Sequence, residues 1–202
     1  MVEKSSKPWD AKLAYKLVYP LRSTHITPNH LTTLRLIVGV AACISLSMGG
    51  YIWMNLGAIL FCLSNFLDHA DGELARITGK ISQSGHYYDL ISDAVVNILL
   101  FLGIGIGLTH SQLGIMAFPM GCIAGLSVAA IFHMRNEIEQ SLGKSDARQP
   151  NLGVIEAEDV LYLLPIITLA DQSLVFLSLA SVGAPLFAIW VTFQYFTLKR
   201  NQ

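Results

Sequence analysis

Asp68, Asp71, Asp89 and Asp93 stand at the junction of two strongly apolar segments. They fall in the runs Asp68-His69-Ala70-Asp71-Gly72-Glu73-Leu74-Ala75-Arg76 and Gly85-His86-Tyr87-Tyr88-Asp89-Leu90-Ile91-Ser92-Asp93. Within each pair the spacing is three or four residues, which puts both carboxylates on one face of a helix. A carboxylate beside a hydrocarbon layer is costly, so ionisable residues in such a place mark a functional site. Brought together without partners, these acids would repel one another. Divalent cations remove the conflict. Mg2+ and Mn2+ are hard ions that take carboxylate oxygens and substrate phosphates together. A pair of them, held by shared carboxylates, can steady both the attacking and the leaving oxygens of a phosphoryl transfer. The pattern predicts a metal-dependent membrane enzyme.

Small residues are interleaved with the acids. Gly72, Ala75 and Gly85 leave room for a bulky ligand at the helix backbone, and they equally suit close helix packing. Arg76 offers a permanent cation to a phosphate, or serves simply as a flanking charge. Glu73 is either an outer-sphere group or a solvated side chain. His69, His86 and His133 are isolated from one another and are expected to line polar surfaces rather than to ligate.

The elements that must hold these residues are apolar helices. Of 202 residues, 53% are hydrophobic and 13% are charged, against roughly 25% charged in soluble domains; the mean hydropathy is +0.53. Segments 30–49, 51–78, 84–108, 112–140, 155–171 and 172–199 each approach the roughly 20 residues that cross a hydrocarbon core. The expected fold is all-α: a single membrane domain over 1–202, with a six-helix transmembrane bundle over 30–199. Ahead of it, residues 9–24 carry Trp9, Leu13, Ala14, Leu17 and Val18 on one side and Lys12 and Lys16 on another. That is the pattern of an amphipathic helix lying in the membrane interface. Pro20 and Pro28 punctuate the turn into the first span. The opening residues are polar and interrupted by Pro8 and Trp9, so a cleavable leader is not expected and the first span should direct insertion.

Charge placement orients the bundle. With six spans and both termini in the cytoplasm, all 13 Lys and Arg fall in cytoplasmic segments or at cytoplasmic helix ends. The opposite turns, near 49–51, 108–111 and 171–172, have none. This follows the positive-inside rule and puts the aspartates at the cytoplasmic mouth of spans two and three. Residues 66–80 and 82–93 should then face one another or line a wet cavity, joined by the tight connection Thr78-Gly79-Lys80. Gly143–Gly153 is the one loop-like stretch. Cys43, Cys62 and Cys122 lie in separate apolar segments and are expected to be reduced packing residues.

The spacing Asp68-x2-Asp71-Gly72-x2-Ala75-Arg76-x8-Gly85-x3-Asp89-x3-Asp93 resembles the signature of the CDP-alcohol phosphotransferases. The run Pro28-Asn29-His30-Leu31-Thr32-Thr33-Leu34-Arg35 is similar to the entry of that family's first helix. The resemblance implies that a hydroxyl attacks a CDP-linked alcohol, forms a phosphodiester and releases CMP. It implies that Asp68, Asp71 and Asp89 hold two divalent ions, Mg2+ or Mn2+. Asp93 would take the acceptor's proton and touch a metal. Gly72, Ala75, Arg76 and Gly85 would admit the cytidine and its diphosphate, and the protein would be a homodimer.

The acceptor is less legible. The resemblance implies a basic pocket for a phosphorylated acceptor, which Arg135 would serve, yet Glu156, Glu158 and Asp159 occupy positions where the family pattern implies a second arginine. Like charge disfavours an anionic acceptor, so a neutral, zwitterionic or amine-bearing alcohol fits better. The same acids also suit the start of a fifth helix. Arg35 is read as snorkelling to lipid phosphate or holding a lipid substrate. A CDP-diacylglycerol-like donor in the cell (inner) membrane is expected, with a small alcohol as acceptor and no nucleic-acid partner. Four alternatives compete: transfer of a headgroup from a soluble CDP-alcohol to a lipid hydroxyl, an intramembrane prenyltransferase, a divalent-cation transporter, and a structural scaffold whose function would not depend on metal. A transporter should carry polar residues through the bilayer; here they gather at one mouth.

Overall fold

The computed structural model of the protein describes residues 9–142 and 161–200. They form helices and turns, with no strand among them. The long helices are α2 (Pro28–Ser47), α3 (Gly50–Thr78), α4 (Gln83–Gly107), α5 (Ala117–Leu142) and α7 (Ser173–Arg200). Each belongs to a stretch long and apolar enough to cross a membrane. The described residues thus supply five candidate spans. The predicted span 155–171 lies partly outside them, and its described part carries the short helix α6 (Leu164–Leu169) against α3.

Local chemistry sets the ends that matter for the site. Pro28 occupies the first turn of α2, where its missing N–H costs nothing, and Thr27 N–H donates to His30 Nδ1 at 3.2 Å. At the far end of α3, Gly79 adopts φ +65°, the left-handed cap that lets a helix stop abruptly. The predicted tight connection to α4 is therefore present. Ser82 Oγ accepts from Gly85 N–H at 3.0 Å and caps the first turn of α4.

Helix α2 organises the bundle. Both α3 and α4 pack along it, and they touch each other little. Segments 66–80 and 82–93, expected to face one another or line a wet cavity, contact each other little because α2 packs against both and lends its own side chains to the space between them. On the other side α4 packs on α5, and α5 on α7. The core of Leu46, Phe61, Leu100, Phe101 and Ile104 fills the middle of the bundle. Gly105 and Gly121 let the α4 and α5 backbones meet, since a Cβ on Gly105 would fall 2.7 Å from Ala117 O. Outward-facing apolar residues such as Ile37, Ile52, Leu179 and Phe193 are well exposed, as a surface solvated by hydrocarbon allows.

The amphipathic segment is helical from Trp9 to Val18 (α1), followed by a 3-10 turn over Tyr19–Ser23. Ala14 and Val18 bury against Ala70 and Leu74 of α3, whereas Leu13 and Leu17 stay exposed. One apolar stripe docks the helix on the bundle and the neighbouring stripe is left for lipid. Both lie at the end of α3 that carries the aspartates.

Candidate active site

Three helices build the site. Asp68 and Asp71 come from α3, Asp89 and Asp93 from α4, and Thr32 and Arg35 from α2. One carboxylate oxygen each from Asp68, Asp71 and Asp89 lie within 4.8 Å of one another. Asp71 is buried, and Thr32 Oγ1 donates to its Oδ2 at 2.7 Å. Asp93 stands one turn below Asp89, outside that group of three.

Arg35 is the charge that makes this arrangement tolerable. It is 1% exposed, with Nη1 2.6 Å from Asp68 Oδ1 and 3.4 Å from Asp89 Oδ1, and Nη2 bound to Asp93 Oδ1. Its backbone oxygen accepts from Ser64 Oγ at 3.0 Å. The expectation that Arg35 reaches lipid phosphate is therefore corrected: the guanidinium points inward, because three carboxylates within reach outweigh a distant headgroup. Arg76, which the sequence offers to a phosphate, bonds Glu73 Oε1 at 2.6 Å, holding a carboxylate that is itself only 1% exposed. That gives Glu73 its role, as the anchor that sets Arg76 at the rim.

Two clefts open from the carboxylates. One, about 280 Å3, is bordered by Asn29, Gly72, Ala75, Arg76, Gly85 and Asp89. Every small residue singled out from the motif lines it. A Cβ on Gly72 would meet nothing within 4 Å, so that glycine keeps the cleft open rather than packing a helix. Gly85 does both: its Cβ would sit 3.0 Å from Ser82 Oγ and 3.2 Å from Asn29 Oδ1. The second cleft, about 430 Å3, runs past Asp89 and Asp93 to His133, Arg135 and Asn136 on α5. Arg135 Nη1 is buried without a hydrogen-bond partner among the described residues. Glu156, Glu158 and Asp159 lie outside the described residues.

The donor set suits a divalent cation. Three carboxylate oxygens at close quarters, one of them fixed by a hydroxyl, are the hard ligands Mg2+ and Mn2+ prefer. Arg35 offsets only part of the four negative charges.

The sequence that builds this site matches a known family. The profile of the CDP-alcohol phosphatidyltransferases matches residues 25–194. The chain belongs to the CDP-alcohol phosphatidyltransferase family. Among curated relatives, the phosphatidylinositol phosphate synthase of Cutibacterium acnes is 26% identical over 159 residues, covering 79% of this chain and 73% of that protein. The archaetidylinositol phosphate synthase of Pyrococcus horikoshii is 34% identical over 87 residues, 43% of this chain. That match spans only 45% of the archaeal protein's length. The crystal structure of the Mycobacterium tuberculosis phosphatidylinositol phosphate synthase with CDP-DAG bound superposes with a TM-score of 0.59 at 19% identity, over 94% of this chain and 90% of that one. At that identity the superposition speaks for the fold: a multi-pass helical membrane protein.

What sequence reasoning missed was α2. Arg35 lies in the second turn of an apolar helix, and an arginine in such a segment is a site residue by default. That signal is present in the sequence, but nothing in it says that Arg35 points at the acids rather than at a lipid. Thr32, 39 residues before the aspartate it bonds, carries no comparable signal.

Proposed function

We propose that the protein transfers a phosphatidyl group from CDP-diacylglycerol, or a similar liponucleotide, to an alcohol, with release of CMP, in phospholipid synthesis. The convergence of Asp68, Asp71 and Asp89 within 4.8 Å, beside a cleft bordered by Gly72, Ala75 and Gly85, is the observation that carries the reading. Asp68, Asp71 and Asp89 would hold two divalent ions. Bound there, such ions would neutralise the diphosphate and make CMP a better leaving group.

The chain's own residues do the rest. Gly72 and Gly85 admit the cytidine diphosphate to the helix backbones, and Arg76, braced by Glu73, meets phosphate oxygens from the rim. Asp93, held by Arg35, accepts the proton of the acceptor hydroxyl. The hydroxyl oxygen bonds to the lipid-bearing phosphorus as the bond to the bridging oxygen breaks, and CMP leaves with that oxygen. Arg135 lines the cleft by which the acceptor reaches Asp93. The site opens to the cytoplasm, with both chain termini on that side of the cell membrane, and the protein works as a homodimer.

The test is direct. Purified protein, Mg2+ or Mn2+ and CDP-diacylglycerol are incubated with a panel of alcohols, and CMP and the new lipid are quantified. Turnover should vanish with a chelator and return on adding excess metal. Undiminished CMP release in chelator would refute the metal assignment, and metal flux into liposomes without nucleotide consumption would favour a transporter. CDP-diacylglycerol labelled in its lipid half passes the label to the product lipid here; in the reverse arrangement it is not consumed, and a CDP-headgroup labelled in its headgroup passes that label to an added lipid alcohol.

Gly72→Leu probes the nucleotide cleft. Because open space surrounds the position and leucine favours a helix over glycine by several tenths of a kcal/mol, the variant should fold normally. Its side chain would enter the cleft, and KM for the donor should rise by roughly tenfold or more, the scale of about 1.4 kcal/mol of lost binding. An unchanged donor KM would remove Gly72 from the nucleotide site.

A further inference from the structure

We infer that a small polar chamber behind Asp93 receives a second hydroxyl of the acceptor, which makes the acceptor a polyol; this rests on the transfer reaction proposed above. The chamber, about 80 Å3, is bordered by Arg35, Asn65, His69, Asp93, Asn97 and Phe132. That is room for a hydroxyl-bearing carbon and more than one water needs. It reaches one helical turn deeper than the carboxylates, since Asn65 precedes Asp68 on α3 and Asn97 follows Asp93 on α4.

Two of its polar atoms are unspent. Arg35 Nε and Asn97 Oδ1 are both buried and have no hydrogen-bond partner among the described residues; the residues are 1% and 5% exposed. Asn97 cannot turn its amide over at no cost, because Nδ2 already donates to the backbone oxygen of Asp93 at 3.0 Å. Its oxygen therefore stays the free end. The guanidinium is likewise fixed, with both terminal nitrogens committed to carboxylates.

Among the described residues the chamber thus offers a ligand one unmet donor and one unmet acceptor, with Asp68 and Tyr162 also on its wall. A hydroxyl can answer either, giving its proton to Asn97 Oδ1 or a lone pair to Arg35 Nε–H. An ammonium group has no lone pair to offer and would leave Arg35 Nε–H unmet. A phosphate has nothing to give Asn97 and would face Asp68 and Asp93. A buried polar atom left unpaired is expensive, so a site of this kind selects strongly for the group that completes it. Asp93 serves the hydroxyl that is attacked, and the chamber reads a different one. Asn97 is then a specificity residue.

The experiment compares polyols with analogues lacking one hydroxyl, glycerol against propane-1,2-diol and inositol against a deoxyinositol, each also as its phosphate ester. Serine and ethanolamine complete the panel. Wild-type protein should favour the polyol over its deoxy analogue by about tenfold or more in kcat/KM, the scale of one unmet buried hydrogen bond. Asn97→Leu, of similar volume, should reduce that preference to about twofold or less while the KM for CDP-diacylglycerol stays unchanged. Should that variant not fold, Asn97→Ser gives the same comparison. Equal use of polyol and deoxy analogue by wild type would mean that the chamber holds water only and would overturn the inference. So would an unaltered preference in the Asn97 variants, or CMP release with serine or ethanolamine and with no polyol. Absence of CMP release with every acceptor is a different failure: it overturns the transfer reading itself, and this one with it.

Discussion

Arg35→Met is expected to lower kcat by about a hundredfold or more and, at the same time, to tighten binding of Mn2+. The two effects have one origin. In the native protein the guanidinium is ion-paired to Asp68, Asp89 and Asp93, so it positions Asp93 and occupies negative charge that a divalent ion would otherwise use. Removing it leaves those carboxylates uncompensated. Breaking a buried pair costs about 3–5 kcal/mol, and the aspartate side chains here are 28–38% exposed, so solvent screening puts the loss near or below the lower figure. A like charge has also been removed from beside the ion site, which favours the divalent ion. Without metal the variant should melt well below wild type. On saturation with Mn2+ it should recover more stability than wild type gains, because stabilisation by a ligand grows with its affinity for the folded state. Thermal unfolding in detergent, with and without Mn2+, together with a direct Mn2+ titration, measures both effects without relying on turnover. Arg35→Lys should fall between the two, restoring charge but not the planar fork that spans separate carboxylates. A methionine variant that is as stable as wild type without metal, and that binds Mn2+ no more tightly, would show that Arg35 does not balance this cluster.

The case of Arg35 also marks where sequence reading stopped. Hydropathy placed spans at 30–49, 51–78, 84–108 and 112–140, and the helices run over 28–47, 50–78, 83–107 and 117–142, because long apolar runs ended by Gly49, Gly79 and the Ser82 cap leave little freedom of boundary. The grouping of Asp68 with Asp71, and of Asp89 with Asp93, followed from helical periodicity alone. Periodicity says which residues share a face; it does not say which third helix stands opposite that face. The insertion of α2 between α3 and α4 depends on long-range packing around Gly39, Ala42 and Gly103, where a Cβ on Gly39 would fall 2.8 Å from Val96 and one on Gly103 2.8 Å from Cys43 O. No local pattern encodes that. Hence Thr32 and Arg35 were absent from the expected acid site, and Glu73 had no role until its bond to Arg76 placed it. The motif residues Gly72, Ala75 and Gly85, by contrast, suit either room for a ligand or close helix packing in the sequence, and in the structure they border one cleft.

Asp93→Asn separates the two chemistries that the four aspartates share. Asp93 lies outside the group whose carboxylate oxygens come within 4.8 Å of one another, and its carboxylate is held by Arg35. An asparagine there keeps an oxygen for the guanidinium and almost the same volume, so the fold and the ion site should survive. What it cannot do is accept a proton. A positioned general base contributes typically about 10²–10⁴-fold, and CMP release should drop by that order, with donor KM and Mn2+ affinity close to wild type. Asp89→Asn should behave in the opposite sense. It removes a member of the three-carboxylate group, so Mn2+ affinity should fall first and activity should return in part at high metal concentration. Assaying both variants across a Mn2+ titration therefore reads out the division of labour: metal rescues the ligand variant and leaves the base variant inactive. Rescue of Asp93→Asn by excess Mn2+ would move Asp93 into the ligand set and leave proton removal to another group on the acceptor side of the site, where His133 of the α5 cleft is the next residue to test.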